Sequence, residues 1–173
     1  MLVAPPRALL EADDRNAFDC GRDSLNAWLK RHAWNNHIEG ASRVSVMVDM
    51  ETGKIVGYVT LSAAQIELSF LPKSLQRNRP DPVPATLLGQ LAVDAACQGQ
   101  GHAKSLLFFA IKTALRAARI IGSTGVITHP LDDGVRGFYA VFGFVDLPFD
   151  PRRAMMARMV DLERAFPGSG DML

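Results

Sequence analysis

Cysteine is scarce in this chain. Cys20 and Cys97 are the only two among 173 residues, with no CxxC pair and no spacing that gathers metal ligands. A disulfide scaffold is therefore set aside, no metal is expected, and a reduced cytoplasmic setting is the default. Neither sign of charge is in excess: 19 Lys and Arg against 18 Asp and Glu leave +1, which neither demands nor forbids a polyanionic partner. Long apolar runs are missing too. Leu106 to Ile111 is bracketed by Lys104 and Lys112, far too short to span a bilayer, so no membrane association is expected. The N-terminus meets Pro5 and Pro6 and then turns acidic, so no signal peptide is expected. There are no repeats and no long linker. What is present, 48% apolar and 21% charged residues, suits a folded chain, and the length suits one domain over residues 1–173.

The periodicities alternate between helix and strand. From Asp23 or Ser24, either of which would cap, Leu25, Trp28, Leu29 and His32 fall on one helical stripe. RVSVMVD and GKIVGYVTLSA are β-rich and joined by a turn at Thr52 and Gly53. LPKSLQRNRPDPVP predicts a short helix or turn and then a proline-rich loop. LLGQLAV predicts a strand, Ala103 to Arg119 a helix with a broad apolar face, and GVITH a strand closed by Pro130. LDDGVRGFYAVFGF predicts a helix capped by Asp132 or Asp133 and stopped at Gly143, and AMMARMVDL a last strand. Hairpins and crossovers together imply an α/β (α+β) fold with a mixed sheet.

Between LLGQLAV and its following helix stands Gln98-Gly99-Gln100-Gly101-His102-Ala103. A dinucleotide fingerprint would need a small residue where Lys104 stands; a P-loop would need glycine where Ala103 stands. What remains is a strand, two glycines that keep side chains away, and a helix beginning at once. Exposed amides at such a helix N-terminus suit a pyrophosphate. An ordinary turn is the competing explanation.

The Q-x-x-G-x-A run resembles the acetyl-CoA loop of the GNAT acetyltransferases, and GVITHPLDDGVRGFYAVFGF resembles that family's second half, a strand and then a helix with an F-Y…G-F signature. FDCGRDSLNAWLK, NRPDPVP, LGQLAVD and FYAVFGF together resemble one branch, the TacT-like toxins of type II toxin–antitoxin modules, over about residues 15–165, leaving a short C-terminal tail. The resemblance implies a GNAT fold, a mixed central sheet with two splayed parallel strands flanked by helices. It implies acetyl-CoA as co-substrate, with the pantetheine arm on backbone of Leu91, Ala92 and Val93 and the pyrophosphate on the amides of Gln98, Gly99, Gln100, Gly101, His102, Ala103 and Lys104. Main chain does this work, which accounts for a loop that is small and polar instead of basic. Cys97 and His102 stand where the family usually has apolar or aromatic residues and read as local substitutions.

The resemblance assigns Tyr139 as the acid that protonates the leaving thiolate. A phenol of pKa ~10 can protonate a thiolate whose conjugate acid lies at ~8.5 or higher. A purely packing role is the alternative, since Phe138, Phe142 and Phe144 surround it in sequence; yet Tyr139 projects about 100° from Phe138 around the helix. No carboxylate announces itself as a base; Asp94 reads as a turn former. That absence suits an α-amine, near ~7.7–8.0 and partly neutral already, better than a lysine near ~10.4. The branch, by resemblance, acetylates aminoacyl-tRNA, more often an elongator, and so blocks translation. Lys73, Arg77 and Arg79 are the candidate tRNA contacts, with Lys30, Arg31 and Arg43 a looser second group; both could equally be solvated faces. Gln90 stands where the family usually has arginine. The branch further implies a ribbon-helix-helix antitoxin and a homodimer. An acetyltransferase of small-molecule or protein amines, or a non-catalytic acetyl-CoA-binding module, remain the rival classes.

Overall fold

Fifteen short elements are described in the computed structural model, which covers residues 1–168. The strands are β1 (Arg7–Ala8), β2 (Arg43–Val48), β3 (Ile55–Ile66), β4 (Val83–Val93), β5 (Gly125–Thr128), β6 (Val145–Asp146) and β7 (Met155–Arg158). The α-helices are α1 (Asp23–Arg31), α2 (Ala33–Glu39), α3 (His102–Ile120), α4 (Asp133–Val141) and α5 (Met159–Ala165), and the rest are 3-10 turns. The strands follow the order β1-β2-β3-β4-β5-β7-β6 in a mixed sheet, as the α/β reading expects. Among the described residues no helix is long and apolar enough to cross a membrane. The expected C-terminal tail lies, from residue 169 on, outside the described residues.

The chain gathers into two compact units, Met1–Ser62 with Leu88–Ala110, and Ala63–Leu87 with the chain from Ile111 onward. In the first, β1, β2 and β3 pair antiparallel, with Val46 opposite Tyr58 and Val44 opposite Thr60. Leu29 and Ala33 pack with Leu9, Phe18, Val44, Val46 and Tyr58 beneath the two N-terminal helices. Tyr58 is wholly buried, stacked on Trp28, and its hydroxyl donates to the Leu25 carbonyl at 2.7 Å, so its polar end is satisfied. Gly57 has no room for a side chain: a Cβ would stand 2.9 Å from both the Ala92 carbonyl and Leu106, so glycine is what lets β3, β4 and α3 approach.

In the second unit β5 pairs with β7, Val126 opposite Ala157 and Thr128 opposite Met155, and β7 with β6. Ile127, Met156, Leu147, Ala154, Val83 and Ala85 form its core with Ile66 and Leu71.

Four expectations change. The first helical stripe is two helices, broken at His32, and α1 has no side-chain cap at either Asp23 or Ser24. Asp19 and Asn26 organise that turn instead: Asp19 accepts from the Gly21 amide and the Asn26 side chain, and Asn26 accepts from the Cys20 amide. β4 starts at Val83, inside the stretch read as a proline-rich loop; Pro84 has no amide to give the ladder, and its carbonyl accepts both the amide and the hydroxyl of Thr124. AMMARMVDL is strand only to Arg158. Met159 and Leu162 are buried at helical spacing, and Arg158 pairs with Asp161 one turn on, so a helix wins there. Two-residue β1 and β6 are too short to leave a pattern.

Candidate active site

The glycine loop is fastened before it is free. Asp94, the residue read as a turn former, accepts from the Ala96 amide at 3.0 Å and caps the 3-10 turn Ala95–Cys97. Its second oxygen takes the Asp19 amide at 3.2 Å, and the Ala95 amide returns to the Asp19 carbonyl at 2.9 Å. The Gln98 side chain then donates to the carbonyls of Cys20 and Val93, at 3.1 and 3.0 Å. Beyond these ties Gly99 and Gly101 hold φ of 76° and 85°, a region costly to residues with a Cβ. A Cβ on either would meet nothing within 4 Å, so the space before this backbone is open.

α3 follows at once. Its first closed bond runs from the Ser105 amide to the Gly101 carbonyl at 3.1 Å, which leaves the amides of His102, Ala103 and Lys104 without partners in the helix. Nineteen residues of aligned peptide stand behind them. Lys104 lies over its own Phe108 ring, 5.3 Å from the centroid, while the His102 Nε2 atom is buried with no partner. Cys97 is buried, which pushes its thiol pKa up, the reverse of what a nucleophile needs.

The end of β4 divides the three expected pantetheine contacts. The Asp94 amide donates to the Val56 carbonyl at 2.8 Å, and the Ala92 carbonyl faces Gly57, so both belong to the β3 side. By strand alternation the main chain of Leu91 and Val93 faces the other edge, where the Val93 carbonyl already accepts from the Gln98 side chain. Gln90, where the family has arginine, is turned into the ladder: its side-chain carbonyl accepts from the Thr60 hydroxyl at 2.8 Å, and its amide donates back to that oxygen at 2.9 Å.

In the second unit Asp132 caps α4, accepting from the Val135 amide at 2.9 Å, and Gly143 ends it at φ 90°. Tyr139 on that helix is 4% exposed, with Phe138 and Phe144 each 5.3 Å away between ring centres. Burial pushes its phenol up to about 12, opposed by a hydrogen bond with Thr128. Tyr139 is thus a core aromatic whose phenol burial keeps protonated. Thr128, 3% exposed at the end of β5, escaped the sequence reading because a threonine closing the run GVIT looks like any β-branched strand residue.

Lys73 opens a 3-10 turn in the same unit, and Arg77 and Arg79 follow in the loop beyond it; Lys73 and Arg77 are exposed and Arg79 is half-buried. Among the described residues none of the three enters an ion pair, unlike Arg119 with Glu163, Arg136 with Asp146 or Arg158 with Asp161. In the other unit Lys30 and Arg31 end α1, and Arg43 donates to the His37 carbonyl at 2.7 Å.

Known proteins share this architecture. A model described as the acetyltransferase (GNAT) family matches residues 9–144. The tRNA-acetylating toxin of Mycobacterium tuberculosis is 38% identical over 151 residues, 87% of this chain and 90% of that protein. A solved structure of AtaT complexed with acetyl-methionyl-tRNAfMet is 29% identical, with a TM-score of 0.86 over 95% of this chain and all but 1% of the other, since 99% of that chain is covered. Another, a mutant AtaT toxin bound to the C-terminus of the antitoxin AtaR and to acetyl-CoA, is 25% identical with a TM-score of 0.80, covering 95% of this chain and 98% of the other.

Proposed function

This chain belongs to the acetyltransferase (GNAT) family, and from that premise we propose that it is a toxin which moves the acetyl group of acetyl-CoA to the α-amine of aminoacyl-tRNA, blocking translation. The observation that carries the reading is its near-full-length kinship with a tRNA-acetylating toxin, 38% identical over 87% of the chain.

The site fits acetyl-CoA. Open backbone at Gly99 and Gly101 and unpartnered amides at the head of α3 suit a pyrophosphate, with the span Gln98 to Lys104 as its cradle. Leu91 and the Val93 amide present main chain to the pantetheine arm, and Ala92 between them turns back toward Gly57 of β3. The Tyr139 hydroxyl is buried and protonated, fit to hand its proton to sulfur as the C–S electron pair leaves. The neutral α-amine forms the new C–N bond and gives its surplus proton to solvent, which restores the phenol. Lys73, Arg77 and Arg79, which enter no ion pair among the described residues, supply charge for a phosphate backbone. On this reading the chain works in the cytoplasm as a homodimer, held in check by a ribbon-helix-helix antitoxin whose C-terminal segment covers the active face; the AtaT toxin, for its part, is seen bound to the C-terminus of its antitoxin AtaR.

The test is purified enzyme with labelled acetyl-CoA and, in separate reactions, charged elongator tRNA, charged initiator tRNA, deacylated tRNA, polyamines and aminoglycosides. Label on charged tRNA alone is the expected result. Label on the small amines with none on either charged pool would overturn the substrate and leave the transferase.

A further inference from the structure

Resting on the reading of this chain as an acetyltransferase of aminoacyl-tRNA, we propose that Gln90 binds the acceptor, with Thr60 as its positioning residue. The Gln90 side-chain N–H donates to the ester carbonyl of the aminoacyl group and so holds the α-amine against the thioester. The side chain is built into place. The Thr60 hydroxyl donates to the Gln90 side-chain carbonyl at 2.8 Å, and the Gln90 backbone amide donates to the same hydroxyl oxygen at 2.9 Å. Glycine at position 89 leaves the room, since a Cβ there would stand 2.9 Å from that oxygen. Thr60 is 1% exposed, so its one proton needs an acceptor inside the protein, and the Gln90 oxygen is the acceptor it has. This decides which way the carboxamide points. Its oxygen is turned to Thr60, and its Nε2 group, with two protons to give, is turned away and donates to nothing among the described residues.

The place of Gln90 on β4 gives that donor its use. The pyrophosphate cradle begins just past the strand, at Gln98, and the arm returns along β4 past the Val93 amide and Leu91, which brings the thioester end beside Gln90. Thr60 shares a face of β3 with Tyr58, the face that meets α1 through Trp28 and the Leu25 carbonyl. Bonded to Thr60, the Gln90 side chain stands off that face while the arm keeps to the edge of the strand. An aminoacyl ester carries its carbonyl on the carbon next to the α-carbon, so fixing the carbonyl oxygen fixes the amine. A neutral amide N–H suits that oxygen and leaves the amine lone pair for the thioester. The new C–N bond and the departing thiolate involve Gln90 in no proton transfer. Polyamines have no carbonyl for it to hold, and deacylated tRNA has lost the group it reads.

The experiment compares full-length wild type with Q90M, Q90E, T60V and the T60V/Q90M double variant, measuring kcat and KM for charged tRNA and for acetyl-CoA, and the inhibition constant of deacylated tRNA. Methionine keeps the length of glutamine without its polar groups, and glutamate still accepts from Thr60 but has no N–H to give. The expected result is a kcat/KM for charged tRNA lower by about 3- to 10-fold in Q90M, the scale of one hydrogen bond, and at least as low in Q90E. In Q90M the KM for acetyl-CoA and the inhibition by deacylated tRNA hold. T60V weakens use of charged tRNA as well, and costs nothing more in the Q90M background. Wild-type kcat/KM in Q90M or Q90E overturns the proposal, and the transferase reading survives because the wild type still labels charged tRNA. An inhibition constant for deacylated tRNA that rises in step in Q90M overturns it too, because the contact would then be to nucleic acid. A T60V loss that persists in full in the Q90M background removes Thr60 as the residue that aims the carboxamide. Wild-type enzyme that leaves charged tRNA unlabelled removes the reading and this proposal together. Should Q90M fail to fold, Q90A carries the same comparison, with unchanged acetyl-CoA affinity by calorimetry as the check on the native state.

Discussion

The glycine loop and the tyrosine nook ask opposite things of the same chain. Around Gly99 and Gly101 the protein presents bare main chain, held open by left-handed backbone and tied down from behind by Asp19, Asp94 and Gln98. Around Tyr139 it hides a side chain, 4% exposed between aromatic rings. The first suits holding a charged ligand, because helix amides and open space cost the protein little and need no counter-charge. The second suits holding a proton, because a buried phenol stays protonated. On the proposed reading, binding and chemistry are given to different kinds of structure, and each can be broken without the other.

The sharpest break is Tyr139→Phe. It keeps the ring and its packing and removes the proton, so turnover falls by about 100-fold or more, acetyl-CoA affinity holds, and expression no longer stops growth. Kinetics, calorimetry and a growth assay check the three parts; full activity would make Tyr139 a packing residue only. The converse break is Gly101→Val. The φ of 85° strains any side chain by about 1–2 kcal/mol, and the branched group projects into the open space before the amides. Acetyl-CoA binding is lost while the Tyr139 nook is untouched; unchanged affinity in calorimetry would remove the loop from the site.

A milder effect is expected from reversing the charges of Lys73, Arg77 and Arg79 together. KM for tRNA rises and its salt dependence flattens, whereas KM for acetyl-CoA is unmoved. A salt slope identical to wild type would return these residues to a solvated face. The smallest effect is alkaline and distinguishes the nook from the loop by stability alone. Folding raises the Tyr139 pKa from about 10 to about 12, so below pH 10 the phenol is protonated in both states and contributes no pH dependence. Between those values only the unfolded chain releases the proton, and stability falls as pH rises. Urea titrations on either side of pH 10 should show a shallower fall in Tyr139→Phe than in wild type, and equal falls would contradict a buried phenol.

The same contrast decides what could be read in advance. Gly99, Gly101 and the start of α3 were legible because conformational need leaves its mark in residue type: glycines between an apolar strand and an apolar helix say that backbone must turn and approach. Asp94 as a turn former and Asp132 as a cap were legible for the same local reason. The burial of Thr128 was not, since it depends on what the fold packs over β5. Nor was the Gln98 side chain's tie to Cys20, which spans 78 residues of sequence. The split of the first helix at His32 and the turn from strand to helix at Met159 were misread because short amphipathic stretches satisfy either period.

The most direct test of the account follows the acetyl group to its atom. Wild-type enzyme is incubated with labelled acetyl-CoA and charged tRNA, the ester linkage is hydrolysed, and the released amino acids are examined by mass spectrometry. The account predicts label on N-acetyl amino acid, with none left on the tRNA and none formed by Tyr139→Phe. Label retained by the nucleic acid after hydrolysis, or N-acetyl amino acid formed at the wild-type rate by that variant, would contradict it.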